Sequence, residues 1–531
     1  MSALASAIAA IDSLHKIPPL AADDEWRSIG ASLPGHLTLV RITEDILGLK
    51  QTDVRTGLVA ALAFLKHAHS TPQKPEHTAS AQQLCEYIGR TVSPCPGAGT
   101  GQVSDDHCPE YEQVAHRSRD LAPYGLSILR ILHSDYSITF SVDTLLTVIS
   151  FTAPGVTDPW TAQETCEVAR DLLSQQLLHK WNQPDLVQTI LKEYLRPAFS
   201  KSRPKAVTAS GRKAEFSQEE DPHRGLADDT REVKPWKYED HRALAVFHWV
   251  VLTAELDILS KQWPLFIPVL LALLDDGTTR IRRRGLLILN VFLEKFPSNI
   301  LRDTGLASVF GDAVFPTLHF LPSITPEEDS VLLLEAAYTA LLSLARKTES
   351  KTGKVEPHSA SPKGKLLDKL LRDGVFSAYF HVKEHVRIVE VLLIQTAKIL
   401  HEMQIYSVKH LKDLVPMHSE VLSNPFAYLA PATLSAAIQG LQAVIANCWP
   451  RLSTPAYQDE LIKALVICYM TVHDERDQLG ERFAQLDAEL IKTASMLTIA
   501  AKGTGDGVVE DLADKAALLV SKEPLVARLF K

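Results

Sequence analysis

One segment constrains the fold more than any other. From Trp263 to Leu274 the chain reads Trp-Pro-Leu-Phe-Ile-Pro-Val-Leu-Leu-Ala-Leu-Leu, followed by Asp275-Asp276-Gly277 and then by Arg280-Ile-Arg-Arg-Arg-Gly285-Leu-Leu-Ile-Leu-Asn-Val-Phe292. Phe266, Ile267, Leu270, Leu271 and Leu274 recur at the period of a helix buried along one face. Ile281, Gly285, Ile288, Leu289, Phe292 and Phe296 form a second stripe of the same kind. The polar turn between them predicts a helical hairpin, and Gly285, which has no side chain, lets the two helices approach closely. Such a pair cannot bury its apolar faces alone, so neighbouring pairs must cover them.

Weaker copies of the pattern occur elsewhere. Asp53-Val54-Arg55 precedes Leu58, Ala61, Leu62 and Leu65, and His385-Val386-Arg387 precedes Val389 and Leu393. The repeat unit is carried by Trp263, Pro268, Asp275, Asp276, Arg282 and Gly285. Few runs alternate with the period of a strand. The predicted class is therefore all-α, an α-solenoid of irregular HEAT-like helical repeats; an irregular helical bundle with coincidental matches is the alternative. Helix starts are marked by Thr325-Pro326-Glu327-Glu328, read as a capping box, and by Thr454-Pro455.

Three stretches interrupt the helical pattern: Pro94–Pro109, rich in Gly, Pro and Ser; Ser200–Glu232, basic and then acidic; and the Lys/Ser/Pro-rich Lys347–Lys365. Their composition has little to bury against the entropy of ordering, which predicts mobile loops. The expected organisation is an N-terminal helical-repeat region at 1–199, a flexible charged linker at 200–235 and a C-terminal HEAT-like region at 236–531. Six scattered cysteines without a CxxC pair suit a reducing compartment, and the expected location is cytoplasm and nucleus. The apolar start Met1–Asp12 lacks the basic residues of a signal peptide and is read as a helix. The longest apolar run, Trp263–Leu274, is short for a bilayer, so no membrane contact is expected. A net charge of −9 spread over both signs argues against direct nucleic-acid binding.

Candidate chemistry is sparse. His381-Val-Lys-Glu384-His385 matches the H-x-x-E-H arrangement of inverted zinc proteases, with Glu460 conceivable as a third ligand. The preferred reading is a repeat helix with Val382, Val386, Val389 and Leu393 inside and His381 at the edge. Gly97-Ala-Gly99-Thr-Gly101 lacks the Gly-Lys-Ser/Thr ending of a phosphate loop. Cys85, Cys95, His107 and Cys108 fit tetrahedral zinc spacing poorly and are read as free thiols. Of Arg280, Arg282, Arg283 and Arg284, Arg282 is expected against an acidic turn residue such as Asp276, and the others in solvent. No catalytic residue, cofactor or metal is predicted.

Trp249, Trp263-Pro264-Leu265, Pro268, Asp275-Asp276, Arg282 and Gly285, with Phe310, Pro316, Leu318 and Pro322 beyond them, resemble the central region of the Tel-two-interacting protein two family. The likeness is most evident from about Trp236 to Ser330. It implies an α-solenoid subunit of the Triple T complex with Tel-two and Tel-two-interacting protein one as partners. It further implies a co-chaperone adaptor that serves Hsp90-dependent folding, stability and assembly of phosphatidylinositol-3-kinase-like protein kinases. No catalytic residue carries over, because the family has none. An importin-like transport or assembly adaptor is the rival reading, disfavoured by how few and irregular the repeats are.

Overall fold

A computed structural model of the chain describes residue 26 and residues 37–49, 53–67, 75–95, 109–153, 158–202, 229–349, 361–452, 454–501 and 512–530. The helix expected at Met1–Asp12, the Gly97–Gly101 run and the His107–Cys108 pair lie outside the described residues. So does most of each stretch read as a loop.

The chain divides into two compact units, Met1–Lys295 and Phe296–Lys531. Among the described residues both are helical throughout, with no strand. The first unit contains α1 (Leu39–Leu47), α2 (Val54–His67), α3 (Pro75–Val92), α4 (Pro109–Tyr136), α5 (Val142–Ser150), α6 (Gln163–His179) and α7 (Gln183–Thr189). The last runs on through a π-helical turn, Ile190–Leu195. After the partly described 200–235 segment come α8 (Pro235–Tyr238), α9 (Arg242–Thr253), α10 (Leu256–Leu274) and α11 (Thr279–Lys295). Helices pack on the next and on the next but one: α3 on α4 and α5, α4 on α6, α5 on α6. The boundary expected at 200–235 falls within this unit, because side chains after it bond side chains before it. Arg242 reaches Asp143 at 2.9 Å, and Arg284 reaches Asp158 at 3.0 Å.

The second unit holds α12 (Ser298–Asp303), α13 (Leu306–Val314), α14 (Glu327–Lys347), α15 (Pro362–Lys369), α16 (Ser377–Val382), α17 (Val386–Met403), α18 (Leu411–Leu422), α19 (Pro431–Leu452), α20 (Pro455–Asp474), α21 (Arg476–Leu479), α22 (Arg482–Ala501) and α23 (Leu512–Lys522). Here α17 packs on α19, α18 on α19 and α20, and α19 on α22, the third helix after it. The capping box expected at Thr325 does not form. Helix α14 begins at Glu327 with Pro326 at the N-cap, which leaves Thr325 outside the helix. Thr454 does precede the first residue of α20, but its side chain makes no capping bond.

Helix α10 extends the apolar run seen in the sequence to nineteen residues, long and apolar enough by length and composition to cross a membrane. Its surroundings explain the apolarity otherwise. Ile258, Leu259, Phe266, Ile267 and the run Val269–Leu274 are buried in the protein, and Phe266 lies 5.8 Å, centroid to centroid, from Phe292 of α11. Pro264 and Pro268 both sit inside the helix, each removing one backbone donor.

Candidate functional site

The turn between α10 and α11 is built on Asp276, whose side chain is fully buried. Its carboxylate accepts from the Thr278 backbone N–H at 3.0 Å, from Lys234 Nζ at 2.7 Å and from Lys237 Nζ at 3.2 Å. Its backbone carbonyl accepts from Arg282 Nε at 3.0 Å. Burial pushes the Asp276 carboxyl up, but the two ammonium groups and the hydrogen bonds outweigh it and hold it below the usual carboxylate range. Asp229 closes the network with bonds to Lys234 and Lys237 at 3.1 and 2.9 Å. Asp275 is exposed, whereas Trp263 and Pro268 are half-buried on α10. A Cβ at Gly285 would stand 2.8 Å from Leu273 Cβ and 3.2 Å from its backbone carbon, so α11 lies against α10 there with no room for a side chain.

Arg282 thus meets Asp276, through the carbonyl rather than the carboxylate. The expectation that the other arginines are solvated holds for Arg280, which is exposed, and needs correction at Arg284. Arg284 is buried and donates through Nη2 to Asp158, itself buried. Burial pushes the Asp158 carboxyl up against the pull of Arg284. Arg280 lies over the Tyr111 ring at 3.9 Å and donates to its hydroxyl at 2.9 Å. The physical reason is that Arg284 meets Asp158, in the segment before α6, instead of water.

A second charged cluster went unread in the sequence. Asp240 accepts from Arg242 Nε and Nη2, both at 2.9 Å, from the Tyr194 hydroxyl at 2.9 Å and from Cys95 Sγ at 3.2 Å. Burial raises the Asp240 carboxyl and the Arg242 guanidinium lowers it further than that, so it stays ionised. The only sequence signal was the Asp-His-Arg triplet at 240–242. Cys95 is therefore engaged with an aspartate, and burial pushes its thiol and that of Cys85 up to about 12.

Lys237 and the Asp158–Arg284 pair also line a cavity of about 280 Å³, together with Trp160, Trp236, His241, Arg280 and Arg283, among others. Trp236 stacks on Phe199 with ring centroids 4.7 Å apart, and its Nε1 donates to Ser202 Oγ at 2.9 Å. Burial, assisted by the charge of Arg280, pushes His241 down to about 4, which leaves it neutral at physiological pH.

The H-x-x-E-H segment has no helical continuity. Helix α16 ends at Val382, and His385 is the N-cap of α17 with φ −94° and ψ 86°. A turn therefore separates the two histidines that a zinc protease would place one helical turn apart. His385 Nδ1 pairs with Glu327 at 3.3 Å. Val386, expected inside, is 45% exposed, while Val382, Val389 and Leu393 are buried. Glu460 lies on α20. Among the described residues no group of three His, Cys, Asp or Glu side chains is placed to hold a metal.

The model of one protein family, the Tti2 family, matches residues 144–429, more than half of the chain. The match takes in the hairpin, the Asp276 cluster and Tyr194, Asp240 and Arg242 of the second cluster, while Cys95 and Asp143 precede it. It reaches well beyond the Trp236–Ser330 stretch in which the likeness was most evident.

Proposed function

The chain belongs to the Tti2 family, and from that membership we propose that it is a scaffold and co-chaperone adaptor subunit of the Triple T complex that works by binding and not by catalysis. It associates with Tel-two and Tel-two-interacting protein one, and through them serves Hsp90-dependent folding, stability and assembly of phosphatidylinositol-3-kinase-like kinases. It does so in cytoplasm and nucleus without contacting nucleic acid or membrane itself. The observation that carries this reading is the extent of the family match, residues 144–429. Helices that pack on near neighbours along the chain support an α-solenoid, whose extended exposed surfaces hold partners. Large apolar side chains left in water, such as Phe380, Phe426 and Leu429 at 74, 66 and 67% exposure, fit that role.

Tagged chain purified from its native cell should bring down a solenoid of the Tel-two-interacting protein one kind in near-equal amount, identified by mass spectrometry. Recovery of the chain with no stable partner of that kind would refute the reading. A fluorescent fusion found in neither cytoplasm nor nucleus would refute the location.

A further inference from the structure

The first turn of α11 carries basic residues and no acidic one. A helix N-terminus already presents partial positive charge, so guanidinium groups there cost stability unless anions answer them. Arg282 is answered by the Asp276 carbonyl and Arg284 by Asp158. The charge of Lys237 is matched by Asp229 and Asp276. Arg280 and Arg283 border the cavity with no carboxylate paired to either among the described residues. Arg284, whose side chain is 6% exposed, also lines the cavity, and its Nε and Nη1 have no hydrogen-bond partner among the described residues. Trp160 and Trp236 are the largest apolar side chains among the remaining walls, with Leu244, Ile281 and Leu287 beside them.

We propose that this cavity receives an acidic side chain from a linear segment of a partner protein, its carboxylate held by Arg280 and Arg283 and an adjacent apolar residue set against the tryptophan wall. Three features select this occupant. About 280 Å³ is at or below the small end of the range for cofactor and small-molecule sites and suits one or two side chains. Paired guanidinium groups three residues apart on a helix are neighbours, and each can grip a carboxylate with charge-assisted bonds. Asp158 in the wall disfavours a dianion more than a singly charged group. The inference rests on the chain's being a protein-binding subunit, but its test is separate.

Full-length chain is titrated with a blocked peptide, Glu-Asp-Phe-Asp-Glu, and with its amide counterpart, Gln-Asn-Phe-Asn-Gln, followed by tryptophan fluorescence and calorimetry. The acidic peptide should bind at least about tenfold tighter than the amide one, and more weakly as salt rises. Arg283→Gln should weaken it roughly tenfold with no change in the thermal melt, and Arg280→Gln similarly. The exposed Arg302→Gln control should bind as the original does. Equal binding of the two peptides, no binding at all, or full binding by Arg283→Gln overturns the inference. So does inorganic phosphate that binds tighter than the peptide, which assigns the site to phosphate. If Arg280→Gln lowers the melting temperature, Arg283→Gln alone decides. Partners that still co-purify with a chain indifferent to the peptide overturn this inference and leave the Triple T reading standing. Loss of partners from a chain that binds the peptide does the reverse.

Discussion

His418 on α18 shows how one side chain sets a pH dependence. It is fully buried, Nδ1 bonds the Leu414 carbonyl at 2.8 Å, and Nε2 has no hydrogen-bond partner among the described residues. Burial pushes its imidazole down to about 4. The unfolded chain, with histidine near 6.5, therefore takes up the proton first as pH falls, and protonation favours unfolding. The contribution is complete above about pH 6.5 and is lost between there and pH 4, up to about 3 kcal/mol. His241 and His248, also pushed down to about 4 mainly by burial, act in the same direction. Asp240 and Asp276, held low, withdraw their support only at more acidic pH. The urea midpoint should fall between pH 7 and pH 5, and His418→Leu should flatten part of that fall; a midpoint flat over this range in the original chain would contradict the assignment. Gly440 belongs to the same contact, since a Cβ there would stand 2.4 Å from His418 Nε2. Gly440→Ala should cost about 1–3 kcal/mol by overpacking, measured as the loss in unfolding free energy.

The hairpin of α10 and α11 is the element in which sequence and structure agree most closely, and the reason is local. Its stripes, its turn and its glycine are near neighbours in the chain, so periodicity alone positions them. Gly285→Ala should push α11 away from Leu273 and cost about 1–3 kcal/mol. Gly277→Ala, with nothing within 4 Å of the new Cβ, should be neutral or gain roughly 0.4–1 kcal/mol. Chemical denaturation of both variants checks the pair, and equal effects would mean that the close approach is misjudged. Periodicity was blind elsewhere. It could not see the turn at Lys383–Glu384, because Val382 and Val389 stay buried on either side of it. It also could not pair Arg284 with Asp158, 126 residues away, or Cys95 with Asp240, 145 residues away. Residues so far apart meet only through the packing of whole helices, and a charge in a sequence looks the same whether it faces water or a buried partner.

At the scale of the whole molecule, composition identified the 200–235 segment as a place with little to bury, but its described ends do structural work. Ser202 Oγ donates to the Val233 carbonyl at 2.6 Å and accepts from the buried Trp236 indole, while Asp229 bridges Lys234 and Lys237. Because Phe199 already stacks on Trp236 at 4.7 Å, excising 200–232 leaves chain ends near one another that can be rejoined. The cost should be local: an indole N–H without its acceptor, about 1–3 kcal/mol, and two partly buried lysines left with Asp276 alone. Leu270→Asp should behave differently. Leu270 is fully buried in the middle of α10; truncation there costs about 2–5 kcal/mol, and an unpaired carboxylate in the same seam must ionise at further cost or take up a proton. That total rivals the whole stability of a typical domain, about 5–15 kcal/mol, and in a stack of helix pairs the damage passes to the neighbours on both sides. The excised chain should therefore melt a few degrees lower and still co-purify with its partner, whereas Leu270→Asp should lose its cooperative helical melt and its partner together. Circular dichroism melts paired with co-purification measure both. A well-folded Leu270→Asp chain would mean that the core lies elsewhere, and an unfolded excision variant would mean that the 200–232 segment carries more of the first unit's stability than its described bonds account for.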